Sequence, residues 1–408
     1  MVSERLVGVR SVALGVWVLS GSRSEPDAKA GISHFIEHLL FKGTDHYSAY
    51  DIARIFDEMG GEPNAATSKE HTFVHARFLD EHLERAFEVL AEMVTRPSFA
   101  NLDAEREVVL EEVAMYEDSP PELIHDHLTE AVFGTHPLGR PIIGFSRTLR
   151  RQDRRAVSDY HHRHYRNPAM VVAAAGNVDH ERLCELTSAH FPADGDSRSR
   201  VPGVVPHDPR HVALYTQKDT EQYHVCLGGP APPRADPRRY ALWVVDTILG
   251  GSWSSRLFQE VRDERGLAYS VYSYTSLYSD VGLAAVYVGS REEAVGEALR
   301  LILKELGSIV RHVPDEQITR AKNHLKGQLV LSMESPQSRM QALGRSILFG
   351  MPVLSVDEVL AEIDAVTAAD VAEVAAEFYD VARWSAACIG PSAEPYRNAL
   401  AGFEWSAR

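Results

Sequence analysis

The feature that most constrains this chain is the pentad His34-Phe35-Ile36-Glu37-His38. Residues four apart lie one above the other on an α-helix, so His34 and His38 can bind a single cation there. Glu37 points to the same side of the helix without having to be a ligand. Apolar residues and a following glycine predict a short helix around the pentad: Leu39, Leu40, Phe41 and Gly43. The alternative is that two core histidines happen to fall at this spacing.

The pattern H-x-x-E-H is the inverted form of the zinc-peptidase signature. A catalytic zinc normally keeps three protein ligands and one open position, so a third ligand is needed. The strongly helical run 103–113 offers Glu105 and Glu112, two turns apart on one face. Val108 and Val109 between them are predicted to face inward. Glu112 is the better candidate, because an unpaired carboxylate beside the apolar stretch that follows it would be costly to bury.

These residues also carry a family resemblance. The segments 31–44 and 105–113 resemble the pitrilysin/insulinase family of zinc peptidases (M16). The resemblance is closest to its short branch, which includes bacterial processing-type proteases and the mitochondrial processing peptidase β-subunit. It extends along nearly the whole chain. It implies one Zn²⁺ per chain with Glu112 as the third ligand, and Glu105 as an acidic residue that supports the ligands.

Two further segments match the family. The segment 64–72 resembles its active-site edge strand, which implies that Asn64, Ala65, Ala66 and Thr67 bind substrate. The segment 255–272 resembles its arginine/tyrosine motif. By that resemblance Arg262 would bind a substrate carbonyl or backbone, and Tyr269 would donate a hydrogen bond to the oxyanion of the tetrahedral intermediate.

The assignment of the tyrosine has alternatives. Tyr272 and Tyr274 lie close in sequence, but Tyr269 has the matching place after Gly266 and Leu267. Without the resemblance, the motif would be interpreted as a surface arginine and a strand tyrosine.

The domain organisation follows from length and from an internal repeat. A chain of 408 residues exceeds a single typical core. An offset of 212 aligns Asp103 with Asp315 and strand 72–76 with strand 284–288. It also sets four residues of the second half opposite the candidate site residues of the first: Asp246, Leu249, Gly250 and His324 opposite His34, Glu37, His38 and Glu112. The second half therefore keeps the arrangement of helices and strands and lacks the metal site.

We predict domains at 1–195 and 210–408, joined by a linker at 196–209 rich in Gly, Pro, Ser and charge. Each half mixes alternating strands with amphipathic helices. This mixture predicts an α+β fold with helices packed on a mostly antiparallel sheet, and the resemblance implies the LuxS/MPP-like metallohydrolase type. Relatives usually begin with a strand before the segment 9–14, which only eight residues precede here. The first sheet is therefore one strand short, or the chain starts further upstream.

Charge and composition indicate which kinds of partner and which cellular location to expect. The net charge of -16 argues against nucleic acid. No apolar run reaches membrane-spanning length, and the N-terminal segment has no apolar signal core, so we expect a cytoplasmic protein without a membrane partner. Cys184, Cys226 and Cys388 are widely spaced and odd in number, which favours free buried thiols.

The sequence thus predicts a zinc metalloendopeptidase acting on peptides, with Glu37 as general base. Long members of the family carry four related domains and this chain two, so a homodimer is expected. The alternative is a non-catalytic scaffold or partner subunit, as some members of the family have become.

Overall fold

The computed structural model describes residues 1–166, 169–191, 212–401 and 406–407, and the predicted linker 196–209 lies outside them. The strands are β1 Val2–Arg5, β2 Ser11–Val18, β3 Glu62–Thr67, β4 Thr72–Leu79, β5 Met170–Gly176, β6 Val212–Gln217, β7 Tyr223–Ala231, β8 Ala268–Leu277, β9 Gly282–Ser290, β10 Ser385–Gly390 and β11 Ser406–Ala407. The helices are α1 Ile32–Leu40, α2 Ala49–Glu58, α3 Leu83–Thr95, α4 Leu102–Glu117, α5 Pro120–Phe133, α6 Ser146–Leu149, α7 Arg154–His164, α8 His180–His190, α9 Arg239–Leu249, α10 Glu292–Arg311, α11 Asp315–Ser332, α12 Pro336–Leu348, α13 Val356–Ala365, α14 Ala368–Phe378 and α15 Glu394–Leu400.

The chain forms two compact units, each assembled from three segments. Unit 1 contains the described residues of Met1–Ala114, Arg140–Pro202 and Leu331–Leu354. Unit 2 contains those of Met115–Gly139, Gly203–Val330 and Ser355–Arg408. The predicted domains 1–195 and 210–408 are continuous stretches of sequence, so they follow the repeat and not this division by contacts.

Unit 1 is built on a five-stranded sheet in the order β1-β5-β2-β4-β3. β1 runs parallel to β5 and the other pairs are antiparallel. Side chains alternate between the two faces of a sheet, and here both faces are buried. One packs on helices that include α1, α3 and α4, and the other presents Trp17 and Phe73 to α12. The presence of β1 means that the first sheet does not lack its leading strand.

Unit 2 repeats this plan. Its six-stranded sheet has the order β11-β6-β10-β7-β9-β8, which matches unit 1 once the two-residue β11 is set aside. β6 runs parallel to β10, and the pairs from β10 to β8 are antiparallel. One face packs on helices that include α9, α10 and α14, and the other on α5. The α+β prediction, with helices on mostly antiparallel sheets, is confirmed.

The helices α5 and α12 are exchanged between the two repeats. The offset of 212 places α5 at 332–345, where it overlaps α12. α5 nevertheless packs on β7 and β10 in unit 2, and α12 packs on β2 and β5 in unit 1. Equivalent helices therefore cover the sheet of the other repeat.

Two expectations from composition can be compared with the fold. None of the helices in the described part of the chain combines the length and the apolar character of a bilayer span. The three cysteines are free, with Cys226 and Cys388 buried and Cys184 half-buried.

Candidate metal centre

The helix α1 carries the pentad. It begins after Gly31, whose φ of 93° lies in the left-handed region that favours glycine. A glycine cannot cap the helix with a side chain, and the buried Glu25 does so instead. Its carboxylate accepts hydrogen bonds of 2.8 Å from the N–H groups of Gly31 and Ser33, which fixes the first turn just before His34.

Three side chains converge beside this helix. His34 Nε2 lies 3.7 Å from Glu112 Oε1, and His38 Nε2 lies 3.2 Å from Glu112 Oε2. One nitrogen or oxygen of each residue lies within 4.8 Å of the others, and no other such cluster of histidine, cysteine and acidic residues occurs in the described part of the chain. Burial, and then the neighbouring His38, lower the pKa of His34 to about 4, so His34 is neutral at pH 7.

Glu105 and Lys42 orient the second imidazole. Glu105 Oε1 lies 2.9 Å from His38 Nδ1, and Glu105 Oε2 accepts a hydrogen bond of 2.8 Å from Lys42 Nζ. A carboxylate on Nδ1 fixes the ring proton there, so in the neutral imidazole the Nε2 lone pair faces Glu112. The Glu105 side chain is only 6% exposed, whereas that of Glu112 is 45% exposed.

This arrangement fits zinc. Two imidazole nitrogens and one carboxylate oxygen are a donor set of catalytic zinc sites, which leave a further position open. The geometry also suits a cation, because His38 Nε2 and Glu112 Oε2, both possible ligand atoms, lie 3.2 Å apart. His34, His38 and Glu112 are therefore the residues that would hold the metal.

Glu37 lies on the same side of α1 and is half-buried. Burial raises the pKa of its carboxyl, and a hydrogen bond from Thr67 opposes that rise. Thr67 Oγ1 donates to Glu37 Oε2 at 2.5 Å. Sequence reasoning assigned Thr67 to substrate binding and missed this contact, for which the sequence carries no signal because Thr67 and Glu37 belong to different elements.

The remaining predicted substrate residues lie on β3, at the edge of the five-stranded sheet. β3 pairs with β4 on one side only, with Asn64 opposite His75 and Ala65 opposite Val74. Asn64 Oδ1 accepts a hydrogen bond of 2.8 Å from the N–H of Ala65, so this side chain contacts its own strand. An edge strand has backbone groups available for another chain.

Arg262 and Tyr269 belong to unit 2. Arg262 lies in the π-helical segment Phe258–Asp263, and its guanidinium stacks 4.7 Å from the ring centroids of both Phe258 and Tyr269. A β-bulge between Ala268 and Ser270 leaves Tyr269 out of the ladder, and this residue is 76% exposed.

The two alternative tyrosines contact a histidine. Tyr274 Oη lies 2.7 Å from His125 Nδ1, and Tyr272 Oη lies 3.2 Å from His125 Nε2. The structure thus brings six predicted residues together in unit 1: His34, Glu37, His38, Thr67, Glu105 and Glu112. It places Arg262 and Tyr269 together in unit 2.

Comparison with known proteins finds a match for each half of the sequence. The family model described as insulinase (peptidase family M16) matches residues 1–145, and that of the peptidase M16 inactive domain matches residues 153–325. A protein of Streptomyces coelicolor named as an uncharacterized zinc protease is 42% identical over 404 residues, which are 96% of this chain and 87% of the relative. Another protein with this description, from Bacillus subtilis, is 38% identical over 395 residues, with 96% of each chain covered.

Solved structures share the fold. The crystal structure of a protease from Helicobacter pylori matches with a TM-score of 0.90 at 22% identity, covering 96% of each chain. A peptidase M16 inactive domain from Pseudomonas fluorescens gives a TM-score of 0.89 at 21% identity, covering 96% of this chain and 95% of that one. With family models matching both halves and relatives similar over nearly its full length, this chain belongs to the insulinase family of peptidases, family M16.

Proposed function

We propose that this protein is a zinc-dependent endopeptidase that hydrolyses peptides or unfolded segments. The observation that carries the proposal is the convergence of His34, His38 and Glu112 beside a half-buried Glu37. The names of the relatives, zinc proteases, support it. The second candidate, a non-catalytic partner subunit, is less well supported, because members with that role characteristically lose the metal residues.

His34, His38 and Glu112 would hold the metal. When bound there, zinc supplies a Lewis acid that polarises the substrate carbonyl and makes water more acidic. Glu37 accepts the proton of the attacking water and delivers it to the leaving amine. Its raised pKa suits the first step, because a stronger base takes the proton more readily.

We propose that the substrate is an extended peptide that adds to the open edge of β3 along Asn64, Ala65, Ala66 and Thr67. Recognition by added strands relies mainly on backbone hydrogen bonds, so sequence preference would be broad. In this proposal Arg262 and Tyr269 bind the substrate, with the tyrosine donating to the developing oxyanion. The protein would act as a homodimer.

The test is hydrolysis of a mixture of unstructured peptides by the purified protein. We expect cleavage that a chelator abolishes and added zinc restores. Glu37→Gln should keep one zinc per chain and lower the cleavage rate by roughly 10² to 10⁴-fold, the usual contribution of a general base. A zinc-free Glu37→Gln variant would make Glu37 a ligand. Absence of cleavage by the zinc-loaded protein would favour the partner-subunit alternative.

A further inference from the structure

Unit 2 contains a cavity of about 400 Å³ that lies against the arginine/tyrosine pair. Besides Arg262 and Tyr269, its lining includes Arg291 and Gln222, to which no role has been assigned above. None of the lining residues is acidic. The cavity is large enough for one peptide residue and lies within the size range of small-ligand sites.

The cavity lining carries basic residues, whereas the chain as a whole has a negative net charge. The protein carries 58 acidic and 42 basic residues, yet two arginines and no carboxylate line this cavity. Neither Arg262 nor Arg291 makes an ion pair within the part of the chain that the structure describes. The nearby Arg265 differs, because it lies 2.7 Å from Glu260. The two arginines of the cavity therefore have donors available for an external anion.

The backbone shapes the cavity. Gly289 lines it, and a Cβ at that position would lie 2.9 Å from Tyr287 Oη and 3.3 Å from Gln222 Oε1. A side chain at this position would therefore crowd Tyr287 and displace Gln222 of the lining. The β-bulge that excludes Tyr269 from the ladder lies opposite Ser290 and Gly289. Bulges commonly redirect a side chain beside a functional site, as this one redirects Tyr269.

We propose that this cavity binds a carboxylate of the peptide substrate, and that Arg291 is a specificity-determining residue for it. The inference rests on the proposed function, since it takes the ligand to be a peptide. Guanidinium groups present fixed pairs of N–H donors that match a carboxylate, and charge-assisted hydrogen bonds of this kind are stronger than those to a neutral carbonyl. The carboxylate belongs to an acidic side chain or to the peptide C-terminus.

The experiment measures binding, so that it does not depend on hydrolysis. The full chain with Glu37→Gln is titrated into unstructured peptides that carry a tetramethylrhodamine label, and fluorescence anisotropy gives the Kd. One pair of peptides differs by Glu or Gln at one internal position, with amidated C-termini. A second pair lacks acidic residues and differs by a free or an amidated C-terminus. We expect the charged member of one pair to bind about tenfold more tightly, and the pair that shows it identifies the source.

The same titrations with Arg291→Gln and Arg265→Gln test the assignment. Arg291→Gln should remove the preference, and Arg265→Gln, outside the cavity, should keep it. Equal binding within both pairs, absence of binding to all four peptides, or a preference that survives Arg291→Gln would overturn the inference. Hydrolysis by the unmutated chain is measured separately. Cleavage without a carboxylate preference rejects only this inference, whereas a preference without cleavage rejects only the proposed function.

Discussion

The imidazole of His38 lies between two carboxylates that differ in their surroundings. Glu105 is buried and receives a hydrogen bond from Lys42 on its second oxygen, whereas the Glu112 side chain, which also lies beside His34, is about half exposed. A carboxylate already engaged on both oxygens orients a ligand, and one with an accessible oxygen can bind a cation. The helix α4 supplies both because they are two turns apart on one face.

We therefore predict different effects on zinc affinity for two matched substitutions. Glu112→Gln should weaken zinc binding by more than 100-fold, because it removes a charged ligand. Glu105→Gln should weaken it by about 10 to 100-fold, the usual effect of losing a partner behind a ligand. Competition with a chromogenic chelator measures both constants. Full zinc occupancy in Glu112→Gln would move the third ligand to Glu105.

Thr67 is the next residue whose role can be separated by substitution. Thr67→Val keeps the side-chain shape and removes the donor to Glu37, so we predict a kcat about tenfold lower with zinc content unchanged. The hydrogen bond from Thr67 lowers the pKa of Glu37, and its loss raises that pKa further. The acid limb of the rate profile should then move to higher pH, because less Glu37 is deprotonated at a given acidic pH.

Thr67→Ser is the control, since it retains the hydroxyl and should retain most of the rate and the original pH profile. A KM that rises in Thr67→Val while kcat and the profile stay unchanged would instead support the role in substrate binding that the sequence alone indicated for Thr67.

The sequence predicted the relative positions of the site residues on α1 better than those of the residues around them. Helical spacing alone puts His34, Glu37 and His38 on one side. For Glu112, the reasoning from burial was wrong, because Val108 is 52% exposed and the Glu112 side chain is 45% exposed. The resemblance identified that position instead. The contact between Thr67 and Glu37 depends on the distance between a strand end and a helix, which local sequence does not determine.

At the scale of elements, the repeat predicted that strand 72–76 and strand 284–288 are equivalent, and these segments lie in β4 and β9. β4 and β9, the strands aligned by the offset, hold the same place in the two sheets. The exchange of α5 and α12 could not be predicted. An amphipathic sequence shows that a helix has a buried face, but it does not show which sheet packs on that face.

The helix α9 corresponds to α1 and carries Asp246 where α1 carries His34. The Oδ1 atom of this aspartate is buried without a hydrogen-bond partner, and burial raises the pKa of Asp246 to about 6. A carboxyl whose pKa is higher in the folded state favours folding when protonated. Its ionisation therefore costs stability increasingly as the pH rises from about 4 to about 6, and by a constant amount above that.

We predict that Asp246→Asn stabilises the protein at pH 7 by about 3 kcal/mol and has little effect at pH 4. Chemical denaturation of both proteins across this pH range measures the difference in the free energy of unfolding. If the two units unfold in separate transitions, the transition of unit 2, which contains Asp246, gives the value. A gain of the same size at pH 4 would show that the effect comes from packing and not from the charge of Asp246.

At the scale of the whole molecule, the two units share one strand order and differ in what they carry. Unit 1 holds the candidate metal ligands and Glu37, whereas unit 2 holds the arginine/tyrosine pair and the cavity beside it. The residues opposite the metal ligands in unit 2 are Asp246, Gly250 and His324, which cannot repeat the site. A complete active site in our proposal therefore needs one unit of each kind.

The proposed homodimer offers two ways to supply them, since each chain has both units and could serve its own metal centre or that of its partner. Complementation distinguishes them. Glu37→Gln and Tyr269→Phe should each be inactive or nearly so on their own. If the two motifs act across the dimer, mixing the variants under conditions of confirmed subunit exchange restores up to about a quarter of the activity, because half of the dimers are mixed and each contains one intact site. We predict this recovery for a dimer in which the partner supplies Tyr269.

No recovery despite subunit exchange would place both motifs in the site of one chain. Full activity of a monomer, established by light scattering at the assay concentration, would contradict the dimer itself.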